Sequence, residues 1–181
     1  DFCLSRGLGD VYKRQVLEVV KAVVDEIGAE RTGIRISPVS PANAISSSDP
    51  QPQFNYLVEQ LDALGIVYLH VVEGATGGPR DVAPFDFDAL RKRFKNTYLA
   101  NNGYDLDLAT SRLNAGQADL FAFGRAFIGN PDLVERLKAG APLAGFNPAT
   151  LYGGGAEGYT DYPTLAEETQ ACLLYTSDAA D

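Results

Sequence analysis

The sequence predicts an α/β fold built on a parallel sheet, and three observations carry that expectation. Helical segments alternate strictly with short runs rich in β-branched and aromatic residues. Those runs are apolar enough to be buried strands, which fits a sheet whose crossovers are helices. Glycine stands at the end of most helical segments, where a stop is needed. Four such βα units suit either an open doubly wound sheet or half of an eight-stranded barrel, and periodicity does not choose between them.

The elements follow in order. From Val16 to Ile27 the residues Val16, Leu17, Val19, Val20, Val23, Val24 and Ile27 recur at three- and four-residue steps, so an amphipathic helix is expected there, closed by Gly28. Gly33–Val39 alternates Ile34 and Ile36 with Arg35 and Ser37 and then meets Pro38 and Pro41, as a strand running into a loop would. That loop, rich in Ser, Pro and Asn, is expected to last to about Gln53. Phe54–Leu64 reads as a helix closed by Gly65, and Ile66–Val72 as a buried strand. After a Gly/Pro-rich loop over Glu73–Pro84 come a short helix at Asp88–Lys95, a strand at Thr97–Ala100, a helix at Leu106–Ala115, a strand at Asp119–Phe123 and a last helix at Asp132–Ala139.

Composition bounds the function. The chain has 181 residues, 45% hydrophobic and 22% charged, with 15 Lys+Arg against 24 Asp+Glu, a formal charge of -9. That acidic balance, with no block of Lys and Arg, leaves no electrostatic footprint for a nucleic acid or an anionic bilayer, so neither is an expected partner. No apolar run has a spanning helix's length and no secretory signal opens the chain; the expected compartment is the cytoplasm. Cys3 and Cys172 lie near the two ends and the single His70 has no second histidine, so neither a disulfide framework nor a metal site is expected.

The two ends read differently from the rest. Ser5–Gln15 (SRGLGDVYKRQ) and Cys172–Asp181 (CLLYTSDAAD) resemble translated sequencing-adaptor DNA, the second from codons containing the reverse complement of an element in the first. Residues 1–15 and 172–181 are therefore expected to be non-native, and residues 16–171, which hold no cysteine, to be the natural segment.

Several residues are candidates for chemistry because they sit where parallel strands end, which is where ligands bind in both architectures. Asn101-Asn102-Gly103 and Phe123-Gly124-Arg125 offer close backbone approach and a guanidinium fork suited to phosphate; the plainer reading is turn residues and a surface ion pair. Arg35 interrupts an apolar strand and calls for an anionic partner, either a ligand or an acidic neighbour. His70 reads as a hydrogen-bonded core or rim residue rather than a catalyst. Gly153–Gly158 has the spacing of a dinucleotide loop, but no strand precedes it and no helix follows, so it is rejected as one. Tyr152, just ahead of it, either lies over a ligand or packs a terminal segment. Asp81–Asp88 reads as a loop entering a helix rather than a carboxylate pair.

The stretches GIRISP, YLHVVE, LANNGYD, FAFGRAFIGNPDLVERL and YGGGAEGYTDYP, in that order, resemble successive pieces of the old yellow enzyme family, close to its N-ethylmaleimide reductase branch. The resemblance covers nearly all of Val16–Leu165, and the last two motifs are its specific part. It implies the C-terminal half of a (β/α)8 TIM barrel that holds FMN at its C-terminal mouth. It implies reduction by NADPH and reoxidation by a small activated alkene: an α,β-unsaturated carbonyl, a maleimide or a nitro compound. By motif, Arg35 would face the N1/O2 edge of the flavin, Asn102, Gly103, Gly124 and Arg125 would hold its phosphate through backbone N–H groups and the guanidinium, with Asn101 beside them in the cofactor site, and Tyr152 would wall the substrate pocket. Family members often carry a small residue or glycine where Asn101 and Asn102 stand, so backbone contacts there are better founded than side-chain ones. The His/His or His/Asn pair that holds the alkene and the tyrosine that protonates it have no counterpart here. The resemblance thus implies part of a cofactor site, no catalytic residue and an inactive fragment. The alternatives are a related FMN barrel that oxidises or demethylates its substrate, and an inactive half barrel that pairs with another copy to cover its sheet edges.

Overall fold

The computed structural model describes residues 8–42 and 47–170, with side chains from Lys13 onward in the first helix. The chain divides into two compact units that meet in sequence between Ala122 and Phe123, and each is described by itself.

In the first unit the elements are α1 (Leu8–Ile27), β1 (Gly33–Ile36), α2 (Pro50–Ala63), β2 (Tyr68–Val72), α3 (Phe87–Arg93), β3 (Thr97–Asn101), α4 (Leu106–Asn114) and β4 (Leu120–Ala122), with a 3-10 turn at Ala29–Arg31. The strands form one sheet in the order β1-β2-β3-β4, and all three pairings are parallel. A doubly wound sheet reverses its strand order at a switch point. This sheet never reverses, so its order is that of a barrel arc.

Alternation along the strands sorts the two faces. Ile34, Leu69 and Tyr98 form one row on the outer face, and Ile36, Val71, Ala100 and Phe121 form the next. These pack with Val20 of α1, Leu57, Val58 and Leu61 of α2, Leu90 of α3 and Phe94 just past its end into one apolar core. The inner face carries Gly33, Tyr68 and Thr97, then Arg35, His70, Leu99 and Leu120, then Val72, Asn101 and Ala122. Tyr68 lies across Gly33 so closely that a Cβ there would stand 2.4 Å from its ring, so any larger residue would push the ring aside. Tyr68 and Leu120 are 41% and 54% exposed on this face, as side chains of a barrel interior would be along an open arc.

The element boundaries differ from the sequence expectation where local chemistry extends or stops a segment. α1 starts at Leu8 rather than Val16, so it runs through residues expected to be non-native. No proline interrupts its first turns, although Gly9, Asp10, Val11 and Tyr12 are weak helix formers, and an Arg14–Glu18 pair at 3.7 Å and Lys13 5.5 Å over the Tyr56 ring support the segment. α2 starts at Pro50, four residues earlier than expected, because a proline at the first helical position lacks only an N–H that would have no partner there. β1 stops at Ile36, just ahead of Pro38, and β4 is trimmed to Leu120–Ala122. Asp119, expected in that strand, instead ties its base: it accepts from Tyr98 N–H at 2.8 Å and from Arg91 at 2.9 Å. Asp86 and Asp105 cap α3 and α4 by accepting from the Ala89 and Leu108 amides.

The second unit contains α5 (Arg125–Gly129), which the sequence reading did not expect, α6 (Leu133–Ala139) and a helical stretch over residues 165–170. Polar groups organise it. Arg136, 1% exposed, pairs with Asp132 at 2.8 Å and Glu168 at 3.0 Å and donates to the carbonyls of Pro142 and Pro163. Fully buried Asn130 donates to the carbonyls of Ala126 and Ala144 and accepts from Ala144 N–H. Residues 151–160 run through turns with no strand before them, in keeping with the rejection of Gly153–Gly158 as a nucleotide loop.

No helix among the described residues is long and apolar enough to cross a membrane.

Candidate functional site

On the inner face of the sheet, alternation puts Arg35 beside His70 in register and one row below Asn101. Arg35 is exposed rather than buried, and its guanidinium donates to Asn101 Oδ1 at 3.4 Å, so among the described residues the acidic-neighbour reading has no carboxylate to rest on. Asn101 in turn donates to the Ala122 carbonyl at 2.7 Å. A cavity of about 240 Å³ opens along the β1 edge beside Ile34, Arg35, Ile36, Phe54 and Leu57.

His70 corrects the sequence reading. A hydrogen-bonded ring was expected, whereas Nε2 is buried and has no hydrogen-bond partner among the described residues. Desolvation, and then the charge of Arg35, hold its pKa below the ordinary histidine range, so the ring stays neutral near pH 7. The inner face therefore offers one exposed cation and one buried, unpartnered ring nitrogen side by side. That combination suits a flat, polar-edged ligand.

Above this row, β3 ends in Asn102 and Gly103, with φ angles of 93° and 65°. Two successive left-handed residues turn the backbone sharply, and asparagine accepts that conformation at a cost that its surroundings must repay. The repayment comes from Glu73, at the end of β2 and 3% exposed. Its carboxylate pairs with Arg80 and accepts from Tyr104 Oη at 2.7 Å and Tyr98 Oη at 3.4 Å. Its backbone N–H donates to Asn101 O at 3.0 Å, and its carbonyl accepts from Asn102 Nδ2 at 2.8 Å. Arg80 also donates to Asn102 O at 3.2 Å and stands 4.2 Å from the centre of the Tyr104 ring. Burial, then Glu73's charge, pushes the Tyr104 hydroxyl up to about 12 and the Tyr98 hydroxyl higher still. Both therefore stay protonated and keep donating.

The sequence reading placed Asn101, Asn102 and Gly103 at this mouth and missed Glu73, Arg80 and Tyr104. A signal existed in Glu73, a carboxylate directly after an apolar strand. Its partners lie 7, 25 and 31 residues away, in an irregular loop and in and beyond a neighbouring strand, where no periodic spacing marks them. In the second unit, Gly124 precedes α5 with nothing within 4 Å of a Cβ built on it, and Arg125 opens the helix. Tyr152 is 97% exposed on the turn segment. Among the described residues no group of three or more His, Cys, Asp and Glu is arranged to hold a metal ion.

Comparison with known proteins gives this geometry a family. The model of the NADH:flavin oxidoreductase / NADH oxidase family matches residues 6–144. A 12-oxophytodienoate reductase-like protein of Solanum lycopersicum is 39% identical over 153 residues, covering 84% of this chain and 41% of that protein. Among solved structures, the old yellow enzyme from Trypanosoma cruzi superposes with a TM-score of 0.81 at 32% identity, over 87% of this chain and 41% of the other. Morphinone reductase in complex with tetrahydroNAD gives a TM-score of 0.80 at 39% identity, over 91% and 44%. The chain belongs to the NADH:flavin oxidoreductase / NADH oxidase family, and its fold is a half of that family's (β/α)8 barrel. It spans about two fifths of the length of these relatives.

Proposed function

We propose that the full-length protein carrying this chain is an FMN-dependent NAD(P)H:alkene oxidoreductase that reduces electron-poor C=C bonds. The observation that carries the reading is the inner face itself: an exposed Arg35 beside the unpartnered His70 Nε2, under a left-handed Asn102-Gly103 turn. These residues fit a flavin, which presents a flat ring with a polar edge and a phosphate tail. The relatives support the same cofactor and reductant, since the family is named for flavin and NADH and one solved relative holds tetrahydroNAD.

When bound, FMN supplies a two-electron carrier that takes hydride from a nicotinamide and passes it to the alkene. Arg35 would place a fixed positive charge at the N1/O2 edge, where negative charge gathers on reduction. Asn101 would steady that guanidinium through its Oδ1. The Asn102 and Gly103 amides would hold the phosphate; for Gly124 and Arg125, in the second unit, a phosphate role rests on the family resemblance alone. For Tyr152, also in the second unit, a place on the substrate side rests on the same resemblance. The groups that hold the alkene and deliver its proton are expected from the remaining portion of a full-length protein. The partner is a small activated alkene, with no nucleic acid or membrane called for.

The test is made on the full-length protein. It should copurify with FMN and oxidise NADPH or NADH at a rate that rises with added N-ethylmaleimide or 2-cyclohexenone. Arg35→Ala should make the flavin's two-electron potential more negative by about 30–60 mV, as expected for losing one charge-assisted hydrogen bond. A protein that binds no FMN, or whose NADPH oxidation ignores every activated alkene, rules the reading out.

A further inference from the structure

Glu73 has no part in the flavin contacts proposed above, yet its carboxylate, amide and carbonyl are all engaged around the Asn102-Gly103 turn. A buried carboxylate is expensive unless its partners satisfy it, and here its two nearer side-chain partners, Tyr104 and Arg80, belong to or reach one four-residue segment, with Tyr98 Oη more distant at 3.4 Å. Tyr104 ends that segment and donates to the carboxylate. Arg80 joins the carboxylate to the Asn102 carbonyl, and the Asn102 side chain returns to the Glu73 carbonyl and to Gly78 O at 3.3 Å. Asn101 O, at the start of the segment, accepts from the Glu73 amide. Residues 101, 102 and 104 are thereby pinned from one side. Between them the backbone keeps two positive φ angles, the second at Gly103, where a Cβ would meet Arg80 Cδ at 3.3 Å.

With the Asn102 carbonyl and side chain both engaged, its peptide cannot rotate without breaking Arg80's bond. The amides of Asn102 and Gly103 donate to no protein acceptor among the described residues. A turn with its carbonyl held back and its amides left over is a concavity for an anion.

We propose that Glu73 is a positioning residue for the flavin phosphate: through Arg80 and Tyr104 it sets the Asn102-Gly103 turn that presents backbone amides to that group. The inference rests on the FMN reading above. Glu73 does not touch the phosphate, and its negative charge is offset by Arg80, so its influence is geometric rather than attractive. Removing the charge frees Arg80 from its anchor, loosens the Asn102 carbonyl, and lets the turn relax. Contacts to the ring, made one row lower at Arg35, do not depend on it.

The experiment compares FMN with riboflavin, which has the same ring and no phosphate, on the full-length protein stripped of its cofactor. In the unaltered protein FMN should bind more tightly than riboflavin. Glu73→Gln, nearly isosteric, should weaken FMN about tenfold, the scale of one charge-assisted hydrogen bond, and riboflavin less than twofold. Tyr104→Phe removes only one hydroxyl and should narrow the FMN preference by about threefold, which keeps the test open if Glu73→Gln fails to fold. Equal weakening of both flavins by the soluble variants means that Glu73 only stabilises the domain, and no change in either means that it does not set the turn; each overturns the proposal. An unaltered protein that binds neither flavin overturns the FMN reading itself and this inference with it, a result distinct from the other two.

Discussion

Residues 8–122 and residues 123–170 hold their structure by different means. In the first, Leu61, Ile66, Leu69, Val71, Tyr98 and Ala100 are sealed between sheet and helices, and polar groups work mainly at strand and helix ends. In the second, the best-buried large side chains include Arg136 and Asn130, and helix, loop and terminal segment are joined by their hydrogen bonds. The difference teaches where periodicity can be trusted. Apolar burial is non-directional and grows with area, so it leaves a repeating trace in sequence. A polar hub is directional and its partners are scattered, so it leaves almost none.

The largest effect should come from opening the apolar core. Leu69→Ala, at a fully buried site in β2, should cost about 2–5 kcal/mol. Hydrogen exchange should show protection lost first across residues 8–122. Equal loss in both regions would show that they unfold together and would break the comparison.

Next in size is Asn130→Ala, which removes three hydrogen bonds and strands the Ala144 amide and two carbonyls. A cost of about 1–3 kcal/mol is expected, read as faster exchange in residues 123–170 with residues 8–122 unchanged. Arg136→Lys should follow in the same direction, because an ammonium cannot reach Asp132, Glu168, Pro142 O and Pro163 O at once.

The smallest effect, and the most diagnostic, is in pH. Burial and Arg35 depress the folded pKa of His70, so the unfolded chain takes up a proton that the folded chain resists, and stability falls as pH drops through about 6.5. Asp132 is depressed by the Leu165 amide and by Arg136, so its contribution is present above the carboxylate range and is lost only as pH falls through about 4. Acid titration followed by hydrogen exchange should therefore weaken residues 8–122 first. His70→Gln should remove the limb near pH 6, and an unaltered limb would exclude His70 as its source.

Much of the site follows the same division. Asn101, Asn102, Gly103 and Arg35 were legible because a glycine turn after a strand and a cation within an apolar strand are local anomalies. His70 was placed correctly in its strand, but its bonding was not, since that depends on which residues flank it across the sheet. Arg80 and Tyr104 were invisible as a pair because the fold of the irregular loop after β2 returns Arg80 to Glu73, while the adjacency of β2 and β3 brings Tyr104 there.

By itself the sequence determined the alternation of helix and strand, the parallel sheet and the strand-end residues, because apolar spacing and turn chemistry act over a few neighbours. The tertiary structure decided what spacing cannot encode. It fixed the unreversed order β1-β2-β3-β4, which separates a barrel arc from an open sheet. It also decided the convergence of Glu73, Arg80, Tyr98 and Tyr104 behind the Asn102-Gly103 turn, since hydrogen bonds between distant residues exist only once packing has set the distances between them.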